Sequence, residues 1–324
     1  MHRIRRPGWA IPEREVTPEA LFWNRRKFLL GAAGALAGGI LGGIGAEAAP
    51  GEKPSEDKTL DLYPARRNPA FTLDRPLTDA KTAAQYNNFY EFGGTKGIYW
   101  LAQRLKIRPW QVRVEGLVRE PKVYDIDDLV RSMPLEERLY RFRCVEAWAM
   151  AVPWTGFPLS SLIKKVEPSS GARFVKLTTF LDRTVAVGQL RLWYPWPYVE
   201  GLTMEEAMNE LTLLVTGIYG KPLPQQHGAP LRLITPWKYG FKSVKSIVSI
   251  EFTDTRPRTF WEAVAPEEYG FWANINPDFD HPRWSQKTER MLGTNEKRPT
   301  IIFNGYGEWV ASMYPSLKDR RYFM

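Results

Sequence analysis

Apolar and polar residues alternate over much of the chain. From Trp110 to Gly116, apolar Trp110, Val112 and Val114 interleave with polar Gln111, Arg113 and Glu115. This period of two predicts a half-buried strand closed by a glycine turn. Segments 174–179, 211–216, 231–235, 246–252 and 300–303 are short, apolar and mostly bounded by glycine or proline, which predicts further strands. Helical periodicity is confined to short pieces. Segments 125–131, 158–165 and 203–208 each combine a cap, early acids or proline, and an apolar stripe, so each predicts a helix of one or two turns. The 26 prolines and 25 glycines predict long, ordered loops on a β-rich scaffold, an α+β class with short helices in which loops carry the site. Strands and helices do not alternate long enough for a doubly wound sheet. Neither G-x-G-x-x-G nor G-x-x-x-x-G-K-[ST] occurs, which argues against nicotinamide and ATP.

One long uncharged stretch interrupts this pattern. Residues 28–46 hold seven glycines and no charge, following Arg25, Arg26 and Lys27, and Ala46-Glu47-Ala48 gives a small-x-small cleavage site. Nineteen uncharged residues would just cross a bilayer, but seven glycines make a poor helix. The segment 1–48 is therefore expected to be a twin-arginine signal peptide, read by the twin-arginine export machinery, with processing after Ala48 and a periplasmic destination. This route exports proteins already folded, often around a cofactor. Residues 49 to about 59, rich in Pro, Gly and charge, are expected to be a disordered leader. No linker or internal repeat follows, so 49–324 is expected to be a single catalytic domain.

Charge adds little. Seven of the 45 basic and four of the 36 acidic residues lie in 1–48, which leaves 38 and 32, a net +6. There is no Lys/Arg-rich block, so nucleic acid is not an expected partner; a modest positive balance suits anion binding or docking of a protein.

The candidate chemistry centres on Cys144, the only cysteine. A lone thiol makes no internal disulfide, so it is buried and inert, paired between chains, or chemically employed. Arg141 and Arg143 lie within three residues, and nearby positive charge favours the thiolate that binds a soft metal. Strand alternation would place Cys144 on the face of Phe142, opposite both arginines. Zinc is disfavoured: only His227 and His281 are left to join Cys144, and their spacing matches no known zinc pattern. Nothing near either histidine resembles a cysteine-protease motif. A cofactor that brings most of its own ligands and asks the protein for one thiolate remains.

Arg143-Cys144-Val145-Glu146-Ala147-Trp148, followed by Val152-Pro153-Trp154-Thr155-Gly156-Phe157-Pro158-Leu159, resembles the cysteine loop of the sulfite-oxidase-fold molybdopterin oxidoreductases. More narrowly it is similar to the catalytic subunits of bacterial periplasmic protein-methionine-sulfoxide reductases. Segments 86–93, 195–202, 228–234, 236–247 and 280–286 share the resemblance, which runs from about Tyr86 to the C-terminus. The resemblance implies that Cys144 ligates molybdenum, with a single nucleotide-free molybdopterin per metal supplying two dithiolene sulfurs. It further implies pterin contacts from Asn87, Tyr90, Glu91, Thr179, His227, Arg232, Ser243, Val244 and Lys245. Arg232 and Lys245 would meet the pterin phosphate with charge-assisted hydrogen bonds, and backbone N–H groups at 243–245 would form an anion nest.

The implied activity is removal of oxygen from methionine sulfoxide, free or in a polypeptide, with oxidised periplasmic proteins as substrates and a haem-containing, quinone-linked membrane subunit as electron donor. Sulfite oxidation, reduction of small S- or N-oxides on the same fold, and a non-catalytic cofactor carrier are the alternatives.

Overall fold

The computed structural model describes residues 57–323. The export-signal reading lies outside the described residues, as does most of the expected leader. Its last three residues are anchored: the Thr59 backbone N–H donates to Asp57 Oδ1 at 2.9 Å, and Asp57 pairs with Arg108 at 2.9 Å. Order therefore begins earlier than composition suggests.

Twelve strands and several short helices make up the described chain, an α+β arrangement. Strands β1 (Gln111–Gly116), β2 (Lys122–Asp125), β5 (Phe174–Thr179), β6 (Val199–Thr203) and β10 (Ile247–Thr253) form one sheet in the order β2-β1-β10-β5-β6. Its pairings are antiparallel except β1 with β10, which are parallel. Val112, Val114, Val175, Leu177, Ile250 and Phe252 turn inward to one hydrophobic cluster, while Arg113, Glu115, Lys176 and Glu251 take the alternate positions. The period of two is visible in sequence because only one face is covered.

The second sheet behaves differently. It comprises β3 (Glu136–Arg143), β4 (Trp148–Pro158), β7 (Leu213–Ile218), β8 (Lys221–Pro222), β9 (Arg232–Ile234), β11 (Thr288–Met291) and β12 (Lys297–Pro299). Along β7, Leu214 enters the first cluster while Leu213 and Val215 enter a second one on the opposite face. With both faces buried, β4 and β7 read as near-continuous apolar runs, and β4, the longer arm of the β3–β4 hairpin, carries no alternation to announce it.

The predicted helices occur at Ile126–Arg131, Leu159–Val166 and Met204–Met208. Asp125 caps the first through its side chain, and Thr203 with Glu206 closes a capping box on the third. Segment 300–303 is not a strand. Phe303 and Asn304 have φ of 52° and 55°, inside a 3-10 turn, and Phe303 is held by its N–H to the Ile275 carbonyl at 2.6 Å. Burial of the Phe303 ring against Tyr314 and Phe323 outweighs the β propensity of Ile301 and Ile302.

Candidate active site

Cys144 sits in the turn of the β3–β4 hairpin, where Arg143 pairs with Ala149. The turn is tight: Cys144 N–H donates to the Trp148 carbonyl at 2.9 Å and Ala147 N–H to the Cys144 carbonyl at 3.1 Å. Ala147 closes it at φ 62°, a left-handed conformation that costs a side-chain-bearing residue about 1–2 kcal/mol.

This turn forms one wall of a cleft that, with the solvent space at its mouth, measures about 840 Å³. Nine of the ten expected site residues line it: Cys144, then Asn87, Tyr90 and Glu91, then His227 and Arg232, then Ser243, Val244 and Lys245. Thr179 does not. Its hydroxyl donates to the Lys245 carbonyl at 2.7 Å from behind the wall, so it supports a lining residue instead. Phe142 and Cys144 share the cleft, as alternation predicts.

The neighbouring arginines stay out of the cleft lining, as alternation predicts, but their charge does not win at the thiol. Arg143 is wholly buried and is not part of the cleft lining; its guanidinium donates to the Cys144 carbonyl and to Gln286 Oε1 at 2.8 Å and lies 3.4 Å from Glu289, while Arg141 reaches Asp74 at 3.0 Å. Burial, reinforced by the Glu146 carboxylate, instead pushes the Cys144 thiol up to about 12. Without a metal the sulfur therefore keeps its proton. The expected nest also shrinks, because Ser243 and Val244 N–H groups donate to the Gly240 and Lys242 carbonyls, each at 3.1 Å.

Three lysines of the 236–247 segment have three fates. Lys238 is buried against Glu206, and Lys242 is buried against Glu200 at 2.5 Å. Lys245 alone faces the cleft, its ammonium donating to the Asn88 carbonyl at 2.5 Å. Lys245 is half-buried; desolvation of its ammonium, and then the Arg232 charge, pull it well below the usual lysine range, while burial raises Glu91.

A family model described as "Oxidoreductase molybdopterin binding domain" matches residues 100–261. A Burkholderia mallei protein named protein-methionine-sulfoxide reductase catalytic subunit MsrP is 52% identical over 98% of this chain and 96% of its own length. The chain belongs to this family. A Ralstonia nicotianae protein of the same name is 48% identical over 98% of this chain and 97% of its own. Among solved structures, the sulfane dehydrogenase SoxCD of Paracoccus pantotrophus aligns with a TM-score of 0.44 at 16% identity, over 76% of this chain and 64% of that one. The chain is thus an oxidoreductase with a molybdopterin-binding domain.

The lining fits such a group. Arg232 is fully buried, its guanidinium bonded among the described residues only to carbonyls, of His227 at 2.7 Å, Ser243 at 3.3 Å and Leu233 at 3.4 Å, with the Trp154 ring 5.1 Å away. Burial pulls it down to about 9. A buried cation without a carboxylate is costly to hold, and an anionic ligand in the cleft removes that cost. Asn87 Oδ1 and Ser243 Oγ are buried and lack hydrogen-bond partners among the described residues, as a polar ring edge would require of its host. Cys144 supplies the one soft ligand. No group of three His, Cys, Asp or Glu side chains suited to a metal occurs among the described residues, so zinc held by Cys144, His227 and His281 finds no support.

Sequence reading missed the polar shell around the sulfur. Asn88 Nδ2 lies 3.4 Å from Cys144 Sγ, and the Glu146 backbone N–H approaches the same sulfur at 3.5 Å. Lys96 bridges Asn88 Oδ1 and the Glu146 carboxylate. Burial pushes Glu146 up, but Lys96, Trp148 and Asn88 outweigh it and hold the carboxylate below its usual range. Asn88 and Glu146 stand inside the two recognised motifs, which was the available signal; Lys96, eight residues beyond Asn88, left none.

Two expected results follow from the loop that presents Arg232. Gly228 sits at φ 98°, and a Cβ there would lie 2.6 Å from Lys245 Cβ. Gly228→Ala should lower unfolding stability by at least ~1–2 kcal/mol from the left-handed backbone alone, measured by urea denaturation. His227 is held down to about 3 by burial first, then by Arg232 and Lys245. It binds no proton in the fold until far below the pH at which the unfolded chain does. Stability should therefore be full above about 6.5 and fall with acid towards pH 3, by up to about 1.4 kcal/mol per pH unit. His227→Asn should flatten that slope in cofactor-free protein followed by denaturation at stepped pH.

Proposed function

We propose that this protein is an exported molybdenum enzyme that removes oxygen from methionine sulfoxide, free or in oxidised periplasmic proteins, and so repairs them. The names of its relatives support the substrate, and the paired arginines with a glycine-rich, uncharged stretch support twin-arginine export to the periplasm. The observation that carries the cofactor reading is the lone thiol of Cys144 in one cleft with the uncompensated, buried Arg232.

In this reading Cys144 holds the metal, Arg232 and Lys245 hold the phosphate, and Asn87, Tyr90, Glu91, His227, Ser243 and Val244 surround the pterin, with Thr179 behind Lys245. When bound, the group supplies the two-electron chemistry that separates oxygen from sulfur. The burial of Arg232 supports a nucleotide-free pterin, since a nucleotide would need a solvated continuation beyond the phosphate. Tyr90, Trp261 and Tyr269, with rings 4.8 Å and 5.1 Å apart in succession, offer the sulfoxide's methyl and sulfur an aromatic wall. The relatives' name "catalytic subunit" supports a second subunit, which we take to be a quinone-linked haem membrane protein.

The test compares two reactions on purified, fully matured protein. Methionine sulfoxide should be reduced by a dithionite-reduced viologen, with close to one molybdenum per chain, and sulfite should be oxidised far more slowly. Faster sulfite oxidation, or protein that turns over without molybdenum, would overturn the proposal.

A further inference from the structure

The segment 280–286 belongs to the recognised motifs yet contributes nothing to the cofactor cradle. It fastens instead onto the cysteine turn from outside. Trp284 Nε1 donates to the Val145 carbonyl at 2.7 Å, and Gln286 Nε2 donates to the same oxygen at 2.8 Å. Beyond it, β11 runs parallel to β4, with Arg290 opposite Trp148 and the Arg290 N–H on the Ala147 carbonyl at 2.9 Å. The outer edge of the cysteine turn is therefore the stretch 283–298.

That stretch is basic. It carries Arg283, Lys287, Arg290, Lys297 and Arg298 against Glu289 and Glu296. Glu289 is buried on Arg75, and Glu296 is taken by Arg298. Arg283 pairs with Glu268 but stays 58% exposed. Lys287 and Lys297 are exposed, and neither joins an ion pair among the described residues. At its centre Trp284 is only half-buried, stacked on His281 with ring centroids 3.8 Å apart and covered by the Arg283 guanidinium at 4.8 Å.

We propose that this basic edge is the docking surface of the one-electron donor, a haem protein with an acidic face, and that Trp284 is the point of electron entry. The inference rests on the proposed haem-driven activity. Electron coupling falls steeply through space and far less through bonds. From the Trp284 ring to the Cys144 sulfur the path is one hydrogen bond, the Val145 backbone, and the carbonyl carbon, Cα and Cβ of Cys144. Each ferrous haem gives up one electron and becomes ferric; two such transfers, with two protons, convert one sulfoxide into methionine and water. Trp284 is a bridge and is not itself oxidised. Charge complementarity of this kind raises encounter rates of small, transient electron-transfer interfaces and is weakened by salt.

The test uses the loaded, full-length enzyme and two reductants. One is a reduced viologen, which needs no docking; the other is membranes containing the haem subunit, supplied with quinol. For Lys287→Glu/Lys297→Glu, turnover with haem membranes should fall about tenfold or more and lose its salt sensitivity, while viologen-driven turnover is unchanged. Trp284→Phe should lower the rate at saturating donor with KM for the donor unchanged. An unchanged membrane-driven rate in the double variant, or an equal fall with both reductants, overturns the docking surface. Failure of the wild type with viologen would instead refute the enzyme reading. Failure with haem membranes alone would refute the haem partner, and this inference with it.

Discussion

Cys144→Ala is expected to abolish turnover while leaving the chain folded. Removing a group that merely orients a metal ligand typically costs 10- to 100-fold, so loss of the ligand itself should cost at least ~100-fold in kcat. The fold has little reason to respond. The sulfur makes no hydrogen bond shorter than the 3.4 Å contact from Asn88, and the turn is held by backbone bonds from Cys144 and Ala147 that alanine retains. Unfolding stability should change by about 1 kcal/mol or less. Pterin content should persist because Arg232 and Lys245 are untouched, so the variant separates metal ligation from cofactor binding. Activity assay, pterin fluorescence after extraction and thermal melting read the three outcomes. A variant that turns over near the wild-type rate would return Cys144 to the class of buried, inert thiols.

Arg232→Met should do the reverse, losing the cofactor while the cofactor-free chain holds or gains stability. Charge-assisted hydrogen bonds contribute roughly 1.5–3 kcal/mol each, so losing the guanidinium should weaken cofactor retention about 10- to 100-fold. In the cofactor-free protein, however, Arg232 is a fully buried cation with no carboxylate, pulled down to about 9. Replacing such a charge by an apolar side chain of similar length is often neutral or stabilising. The expected pair of results is low molybdenum content after export and a cofactor-free melting temperature at or above that of wild type. A lower melting temperature with full cofactor content would make Arg232 a structural residue of β9.

How much of this was legible depended on which faces water reaches. Val112 and Val114 announce β1 because Arg113 and Glu115 lie on the other face of the sheet. Strand β4 announces nothing, because a strand packed on both sides has no polar positions to alternate with. The site was legible through its motifs as separate pieces. Their meeting was not: Lys245 bonds to Asn88 across 157 residues of sequence, a distance no local pattern spans. Spacing also overstated charge. Arg143 adjoins Cys144 in the chain, but its guanidinium is held by the Cys144 carbonyl, Gln286 and the neighbouring Glu289, outside the cleft lining. A long side chain acts where its far end is anchored. Thr179 shows the same limit: it lies behind Lys245 instead of in the cleft.

X-ray absorption at the molybdenum edge, on wild type and Cys144→Ala purified from cells that make the cofactor, addresses the central claim most directly. The account predicts molybdenum in both proteins and one fewer sulfur scatterer in the variant. Identical spectra, or wild-type protein that carries no molybdenum, would contradict it.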